Sequence, residues 1–396
     1  MEFRWLYPFA GLVILSMLGS IYAFSLYYPP LQSEFRINSI AELTLAFSLI
    51  TVSYSVFIIP SGVFYDRFGP RLPVILGGFT IFLGYVTAYF MKNFSDWESA
   101  RILYYIGLGI IPGLGMAIVD AVPRPLVAKW FPDKTGTAVG ITAVGFGIGT
   151  AIVTPIIRYF LGIADVFQTF LYMGVIYFAV IAMVGLVLKD PKVQKSDEIT
   201  DFSLKMALRD KKFHILWLSF AFASYAGLMF IGNAVPILRE GRVEEIIPVF
   251  LIATSFFNAG GRVFWGVALD KTSVWKAMQI NFILTSLALF SLRFAYTSPY
   301  TAIVMGGVIY ANYGGLLALF PSATAIFFGK RYLGRIYGAI FTSWGVAGLL
   351  GAFSGGLIKD ITQSYIPSFY IAIVMSLLAL FIVHFGKSGD KTNQPM

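Results

Sequence analysis

Apolar residues run along this chain in twelve blocks, each long enough to cross a bilayer as a helix: residues 7–28, 43–64, 72–92, 101–128, 135–160, 166–188, 213–238, 246–268, 274–296, 299–328, 333–357 and 367–386. Short polar segments separate the blocks. The longest, Lys189 to Lys212, mixes Lys, Asp, Glu and Ser. The pattern predicts an all-α membrane protein of twelve transmembrane helices. Residues 1–188 and 213–396 are expected to form two six-helix bundles, and 189–212 a solvated cytoplasmic linker. Within the linker, Asp201 to Lys212 is expected to lie along the membrane surface as a short helix.

The two halves repeat. Gly62-Val-Phe-Tyr-Asp66-Arg67 follows the second block and Gly266-Val-Ala-Leu-Asp270-Lys271 the eighth, so GVxxD[RK] recurs 204 residues later. In the fifth and eleventh blocks, Gly136 and Gly149 match Gly338 and Gly351 at an offset of 202. Paired halves are a transporter architecture, with a site near the bilayer midplane between them. A membrane receptor or enzyme has no need of the repeat. An intramembrane hydrolase would also need a nucleophile with a base, or a metal, and no HExxH is present.

Composition narrows the reading. Only 12% of the 396 residues are charged and 58% are hydrophobic, whereas a soluble domain carries about 25% charge. The net charge of +9 is scattered over short loops, so it speaks for membrane orientation and against nucleic acid. An even number of spans puts both ends on one side. That side carries 19 of the 29 Lys and Arg residues, the opposite side 8, and Arg124 and Arg262 lie within the membrane. The expectation is a multi-pass protein of a prokaryotic cell membrane with both termini cytoplasmic. The first block, directly after MEFRW, reads as a retained helix and not a cleaved signal. With no cysteine, and His214 and His384 at block ends, neither a metal site nor a thiol nucleophile is expected. Gly145, Gly147 and Gly149 spell GxGxG without the strand and acid of a dinucleotide site, so they are read as close helix packing. No GxxxxGK[ST] occurs, so no nucleotide or other cofactor is expected, and energy must come from gradients.

Arg262 is the residue that most needs explaining. It lies eight residues before Asp270, about 12 Å along a helix and well inside a hydrocarbon layer of ~30 Å. A cation there costs ~2.5–3.5 kcal/mol on insertion scales, so it needs a partner, a wet cavity or an anionic ligand. Its planar fork suits a carboxylate; the alternative is a tie to backbone carbonyls or a fixed acid. Asp120 and Arg124 are four apart on one helix face. Asp120 is nine residues before Lys129, about 13 Å deep and near the level of Arg262. Three roles stay open for it: a structural pair with Arg124 or Arg262, a proton acceptor coupled to transport, or a contact for a cationic part of the substrate. Pro123 is expected to bend that helix.

These residues carry a family resemblance. Gly62-Val-Phe-Tyr-Asp66-Arg67-Phe-Gly69-Pro-Arg71 resembles the loop signature of the major facilitator superfamily. Lys129-Trp-Phe-Pro-Asp-Lys-Thr-Gly136 followed by Gly145-Phe-Gly-Ile-Gly149 resembles the oxalate/formate antiporter branch, related to monocarboxylate transporters. Tyr22-Ala-Phe-Ser25, Leu319-Phe-Pro-Ser322 and Asn258 to Asp270 fit the same branch. The resemblance implies the major facilitator fold and alternating access. It implies that Arg262 engages a substrate carboxylate and that Tyr22 and Tyr313 face the site; Trp344, lining the cavity or packing against a neighbouring helix, and Asn258, one turn before Arg262 and placed to orient it, complete the expected substrate-binding set. It also implies that Asp66, Arg67, Arg71, Asp270 and Lys271 bridge helix ends in one conformer. Two departures stand out: Trp344 occupies the place of a lysine found in oxalate-handling members, and Asp120 the place of an aromatic. A missing cation favours a monocarboxylate over a dicarboxylate. The expected function is therefore a secondary transporter of a small organic anion, a monocarboxylate, working as a monomer and with Asp120 as a basis for proton symport. Organic-anion exchange and transport of an unrelated solute are the alternatives.

Overall fold

The computed structural model describes residues 2–191, 203–329 and 332–386. Twelve helices long and apolar enough to cross a membrane are present among them. They are α1 (Leu6–Phe35), α2 (Ile40–Phe68), α3 (Arg71–Asn93), α4 (Trp97–Trp130), α5 (Thr135–Ile163), α6 (Val166–Val187), α7 (Lys211–Gly232), α8 (Glu244–Leu269), α9 (Val274–Phe294), α10 (Pro299–Phe328), α11 (Leu333–Thr362) and α12 (Ile366–Gly386). Residues 192–202 of the linker, including the first two of the stretch expected along the membrane surface, fall outside the described residues. What is described is a single turn, Leu204–Ala207, capped by the Ser203 hydroxyl. The seventh block was expected to reach residue 238, but the helix stops at Gly232. Asn233 breaks it, and a separate helix, Ala234–Glu240, follows.

The packing order repeats with the sequence. α1 lies against α5 as α7 lies against α11; α3 against α6 as α9 against α12; α2 against α4 as α8 against α10. The contacts between the first six helices and the last six obey the same exchange, with α2 against α11 and α8 against α5. The peripheral helices expose their apolar faces, as Leu76, Phe79 and Leu83 of α3 and Val374, Leu377 and Phe381 of α12 show. These are the faces that lipid solvates.

Helix association in lipid gains little from burying apolar surface and depends on close backbone approach. The GxGxG run of α5 shows how. A Cβ on Gly145 would stand 2.1 Å from the Leu12 carbonyl oxygen, and one on Gly149 2.2 Å from that of Ser16. Both glycines therefore face α1. Gly147, between them on the opposite side, meets the Ala259 backbone of α8. One short motif thus seats a neighbour within its own half on one face and a helix of the other half on the other.

Both ends of the described chain lie on one face of the molecule. Arg4 pairs with Asp133 in the α4–α5 loop at 2.9 Å, and Gly386 abuts Ile215 near the start of α7. On the opposite, far face the halves are sealed. The Asp360 carboxylate at the end of α11 accepts from the Ser39 hydroxyl at 2.7 Å and from the Ile40 and Ala41 amides at 2.8 and 3.0 Å. These groups form the first turn of α2, so an acid of one half caps a helix of the other. Deeper in, Tyr28 donates to the Gly232 carbonyl, Ser48 to the Gly348 carbonyl and Ser255 to the Gly147 carbonyl.

Candidate functional site

Between the halves a cavity of about 2080 Å³ opens on the face that bears the chain ends. Gly62, Asp66, Lys129, Gly136, Gly266, Arg335 and Gly338 line its mouth, and Tyr22, Tyr54, Asp120, Arg124, Phe146, Arg262 and Trp344 its inner end. The four repeat-related glycines, Gly62 with Gly266 and Gly136 with Gly338, thus line one cavity.

Arg262 reaches this cavity because of how α8 packs. A Cβ on Gly261 would lie 2.0 Å from the Ala311 carbonyl oxygen, and one on Gly314 2.2 Å from that of Asn258. The two glycines bring α8 and α10 backbone to backbone. Asn258 donates its Nδ2 to the Tyr310 carbonyl at 3.2 Å and accepts Arg262 Nε–H on Oδ1 at 3.2 Å. The guanidinium also sits 5.4 Å from the Phe146 ring centroid.

Those contacts leave the cation short of partners. Arg262 is only 7% exposed, Nη2 has no hydrogen-bond partner, and among the described residues no carboxylate pairs with it. One charged hydrogen bond contributes about 1.5–3 kcal/mol, and an unsatisfied buried donor costs about 1–3 kcal/mol. A cation–π contact adds about 0.5–2 kcal/mol. The protein therefore offsets part of the burial cost and leaves Nη2 buried without a partner, on a side chain that lines a cavity large enough for a small acid.

Asp120 and Arg124 belong together. Arg124 Nη1 donates to both Asp120 oxygens, at 2.8 and 2.9 Å. Asp120 is buried while Arg124 is one-third exposed into the cavity. α4 is interrupted between them: one helical segment ends at Asp120 and the next begins at Pro123. Proline has no amide hydrogen to continue the ladder, which accounts for the expected irregularity. Of the open roles for Asp120, the partner found is Arg124 and not Arg262.

The other expected residues divide. Tyr22 and Trp344 line the cavity. Tyr313 and Asn258, expected to touch substrate, do not line it and form the layer behind. Tyr313 accepts the Trp344 indole N–H at 2.7 Å and the Tyr22 hydroxyl at 3.4 Å, while its ring packs over Gly227. Absence of a side chain at Gly227 draws that ring away from the cavity and toward α7. Phe341 stacks on Trp344 at 4.9 Å, and Tyr54 meets both rings edge-on. Phe146, Tyr54, Tyr337 and Phe341 were not singled out from sequence. Among 38 Phe and 22 Tyr no local signal separates them.

At the mouth, Asp66 lines the cavity, Arg67 lies over the Phe68 ring, and Arg71 donates Nε–H to the Leu188 carbonyl at 2.8 Å. Lys271 is exposed, and the side chain of Asp270 lies outside the described residues. Among the described residues, none of Asp66, Arg67 and Lys271 pairs across the halves. The cavity opens there and holds the helix ends apart. Lys129 does bridge, to Tyr65 of the first half at 2.9 Å and to Asp190 at the start of the linker at 3.1 Å.

Sequence comparison agrees with this architecture: the major facilitator superfamily profile matches residues 9–352. The chain belongs to the major facilitator superfamily. It is 30% identical to the oxalate:formate antiporter of Oxalobacter formigenes over 393 residues, covering 96% of this chain and 91% of that one. It is 24% identical to monocarboxylate transporter 12-B of Danio rerio, over 82% of this chain and 75% of that one. Among solved structures, a bacterial homolog of the human lysosomal transporter Spinster, in an inward-facing and occupied conformation, superposes with a TM-score of 0.73. That match has 13% identity and covers 97% of each chain. Membership makes this a multi-pass membrane transporter, not an enzyme, of a superfamily whose members here include carriers named for organic anions.

Proposed function

We propose that this transporter exchanges small monocarboxylates across the cell membrane by alternating access, with Arg262 as the carboxylate anchor. The carrying observation is a buried arginine with a nitrogen left without a partner and, among the described residues, no carboxylate paired to it, lining a cavity between two pseudo-symmetric halves. A carboxylate docked there gains a charge-assisted, bidentate contact. The names of the oxalate:formate antiporter and the monocarboxylate transporter among its relatives support an organic anion. Trp344, where oxalate-handling members carry lysine, favours a single carboxylate.

Exchange follows from the same charge. An empty site must move with a bare buried cation, whereas a loaded one moves neutralised. Asp120 is committed to Arg124 and does not neutralise Arg262, which weighs against a carrier that resets empty. Proton symport is the second reading, because Asp120 lines the same cavity and its protonation alters the site's charge. The 1–188 and 213–396 bundles are taken as the two rocking bodies. The Lys and Arg bias supports the open face as the cytoplasmic one.

The test is purified protein in proteoliposomes. Vesicles preloaded with a monocarboxylate should take up labelled monocarboxylate, and empty vesicles should not, with or without an inward pH gradient. Gradient-driven uptake into empty vesicles at the counterflow rate would sink the exchange account. Arg262→Ala should insert normally and lower uptake at least about 30-fold, as loss of a buried charge pair does. Retained uptake would remove Arg262 from the site.

A further inference from the structure

The inner end of the cavity carries three full charges on two helices of opposite halves. Among the described residues Arg262 of α8 has no ion-pair partner, while Arg124 and Asp120 of α4 form an ion pair. Two guanidiniums against one carboxylate leave a single net positive charge. Arg124 and Arg262 are close enough for their charges to act on one another, and among the described residues the remaining groups that act on the pair are hydroxyls: Tyr22 of α1, Tyr54 of α2, Tyr313 of α10 and Tyr337 of α11. None of these phenols supplies a compensating charge near neutral pH.

The pairing geometry matters as much as the count. Arg124 spends one nitrogen, Nη1, on both Asp120 oxygens. Among the described residues, its Nε and Nη2 make no hydrogen bond, and the side chain is one-third exposed to the cavity. Arg124 thus lines the cavity with donors that no described protein group takes up. What withholds it from a guest is the electrostatic claim of Asp120.

We propose that Asp120 is an internal counter-anion that sets the valence of the transported anion at one, by withholding Arg124 as a second carboxylate anchor. This rests on the reading of Arg262 as an organic-anion anchor. With Asp120 ionised, a monocarboxylate on Arg262 brings the site to neutrality, and a dicarboxylate leaves a buried excess anion. With the charge of Asp120 removed, Arg124 and Arg262 present two forks from opposite walls, and the neutral complex is the one with a dicarboxylate. A dicarboxylate carrier can therefore be made from this chain by subtracting a charge, without adding the lysine that Trp344 replaces.

The experiment is a charge cycle read with acids of matched chain length. Propanoate and malonate, then butanoate and succinate, compete against labelled monocarboxylate on purified protein at a pH where all are fully ionised. Wild type, at one net charge, should prefer the monocarboxylate of each pair. Asp120→Asn, at two, should move the ratio of affinities toward the dicarboxylate by at least about tenfold. Arg124→Gln, at zero, leaves Asp120 free to pair with Arg262 and should lose affinity for all four acids. The double variant Asp120→Asn/Arg124→Gln returns to one and should recover the wild-type preference, which no purely structural role predicts. It also covers the case in which Asp120→Asn folds poorly. An unchanged ratio in a folded Asp120→Asn protein, or a double variant that prefers dicarboxylates, overturns the proposal. If wild type binds none of the four acids, the anion-anchor reading fails instead, so the two failures are distinguishable.

Discussion

Trp344 of α11 donates its indole N–H to the Tyr313 hydroxyl of α10 at 2.7 Å. The indole is thereby saturated by the protein, and its nearly fully buried ring, stacked on Phe341, borders the cavity without a free donor. A second carboxylate of a guest finds no free donor on this indole. The relation also explains why Tyr313 serves the site from behind.

Trp344→Lys should therefore add a cation to that wall and shift selectivity toward dicarboxylates, read by competition against a labelled monocarboxylate. Trp344→Phe should keep the stack and lose only the hydrogen bond, about 0.5–1.5 kcal/mol, with a correspondingly small change in affinity. Equal effects of the two substitutions would show that charge at this position does not set selectivity.

Asn258 ties Arg262 to the α10 backbone. Asn258→Ala should weaken monocarboxylate binding by about tenfold or more, the worth of one hydrogen bond to a charged group. Asn258→Asp should do something different. It supplies a carboxylate one turn from Arg262, so guest affinity should fall while uptake into empty vesicles rises. If empty-vesicle uptake stays at the wild-type level, the bare cation is not what forbids empty crossing.

Asp360 holds the far face shut through three hydrogen bonds to the first turn of α2. Ser39 keeps its own cap on the Glu42 amide, so α2 survives loss of the acid. Asp360→Ala should shift the population toward a far-face-open state by about tenfold, from ~1.5 kcal/mol of charged hydrogen bonding. The chain has no cysteine, so Ser48→Cys, buried at that seam, should gain reactivity in the Asp360→Ala background. Gly140→Cys, lining the open cavity, should lose it.

Gly261→Ala places a methyl 2.0 Å from the Ala311 carbonyl oxygen. Neither backbone can yield without separating α8 from α10, so a loss of about 1–3 kcal/mol is expected, seen as a lower melting temperature in detergent. Gly260→Ala, one residue away in open space, should melt like the parent.

Arg4 holds the Asp133 carboxyl below the usual carboxylate range by a bidentate hydrogen bond in the α4–α5 loop. A lowered folded value stabilises the protein above the unfolded value and loses that effect as pH falls through the folded one. Arg4→Gln should then melt lower than wild type near neutrality, and the gap should close as pH falls below about 4. A gap that persists in acid would assign the effect to packing over Phe131 instead.

The twelve spans, their repeat and the buried position of Arg262 were all legible in residue order. Each depends on near-neighbour chemistry: apolar block length against bilayer thickness, or the distance from a charge to the end of its own block. The i, i+4 spacing likewise placed Asp120 and Arg124 on one face. Residue order left open which cation Asp120 serves, because Arg262 is 142 positions away and only helix packing decides which of the two guanidiniums the carboxylate meets. It left Tyr313 at the site surface, whereas the space at Gly227, on another helix, draws that ring behind the wall. The Asp360 seal had no local signature, since its donors lie 319 to 321 residues away. Short-range periodicity and solvent matching determine elements and their burial. Which polar group meets which across the cavity is a property of how two six-helix halves close on one another, and that is decided only in three dimensions.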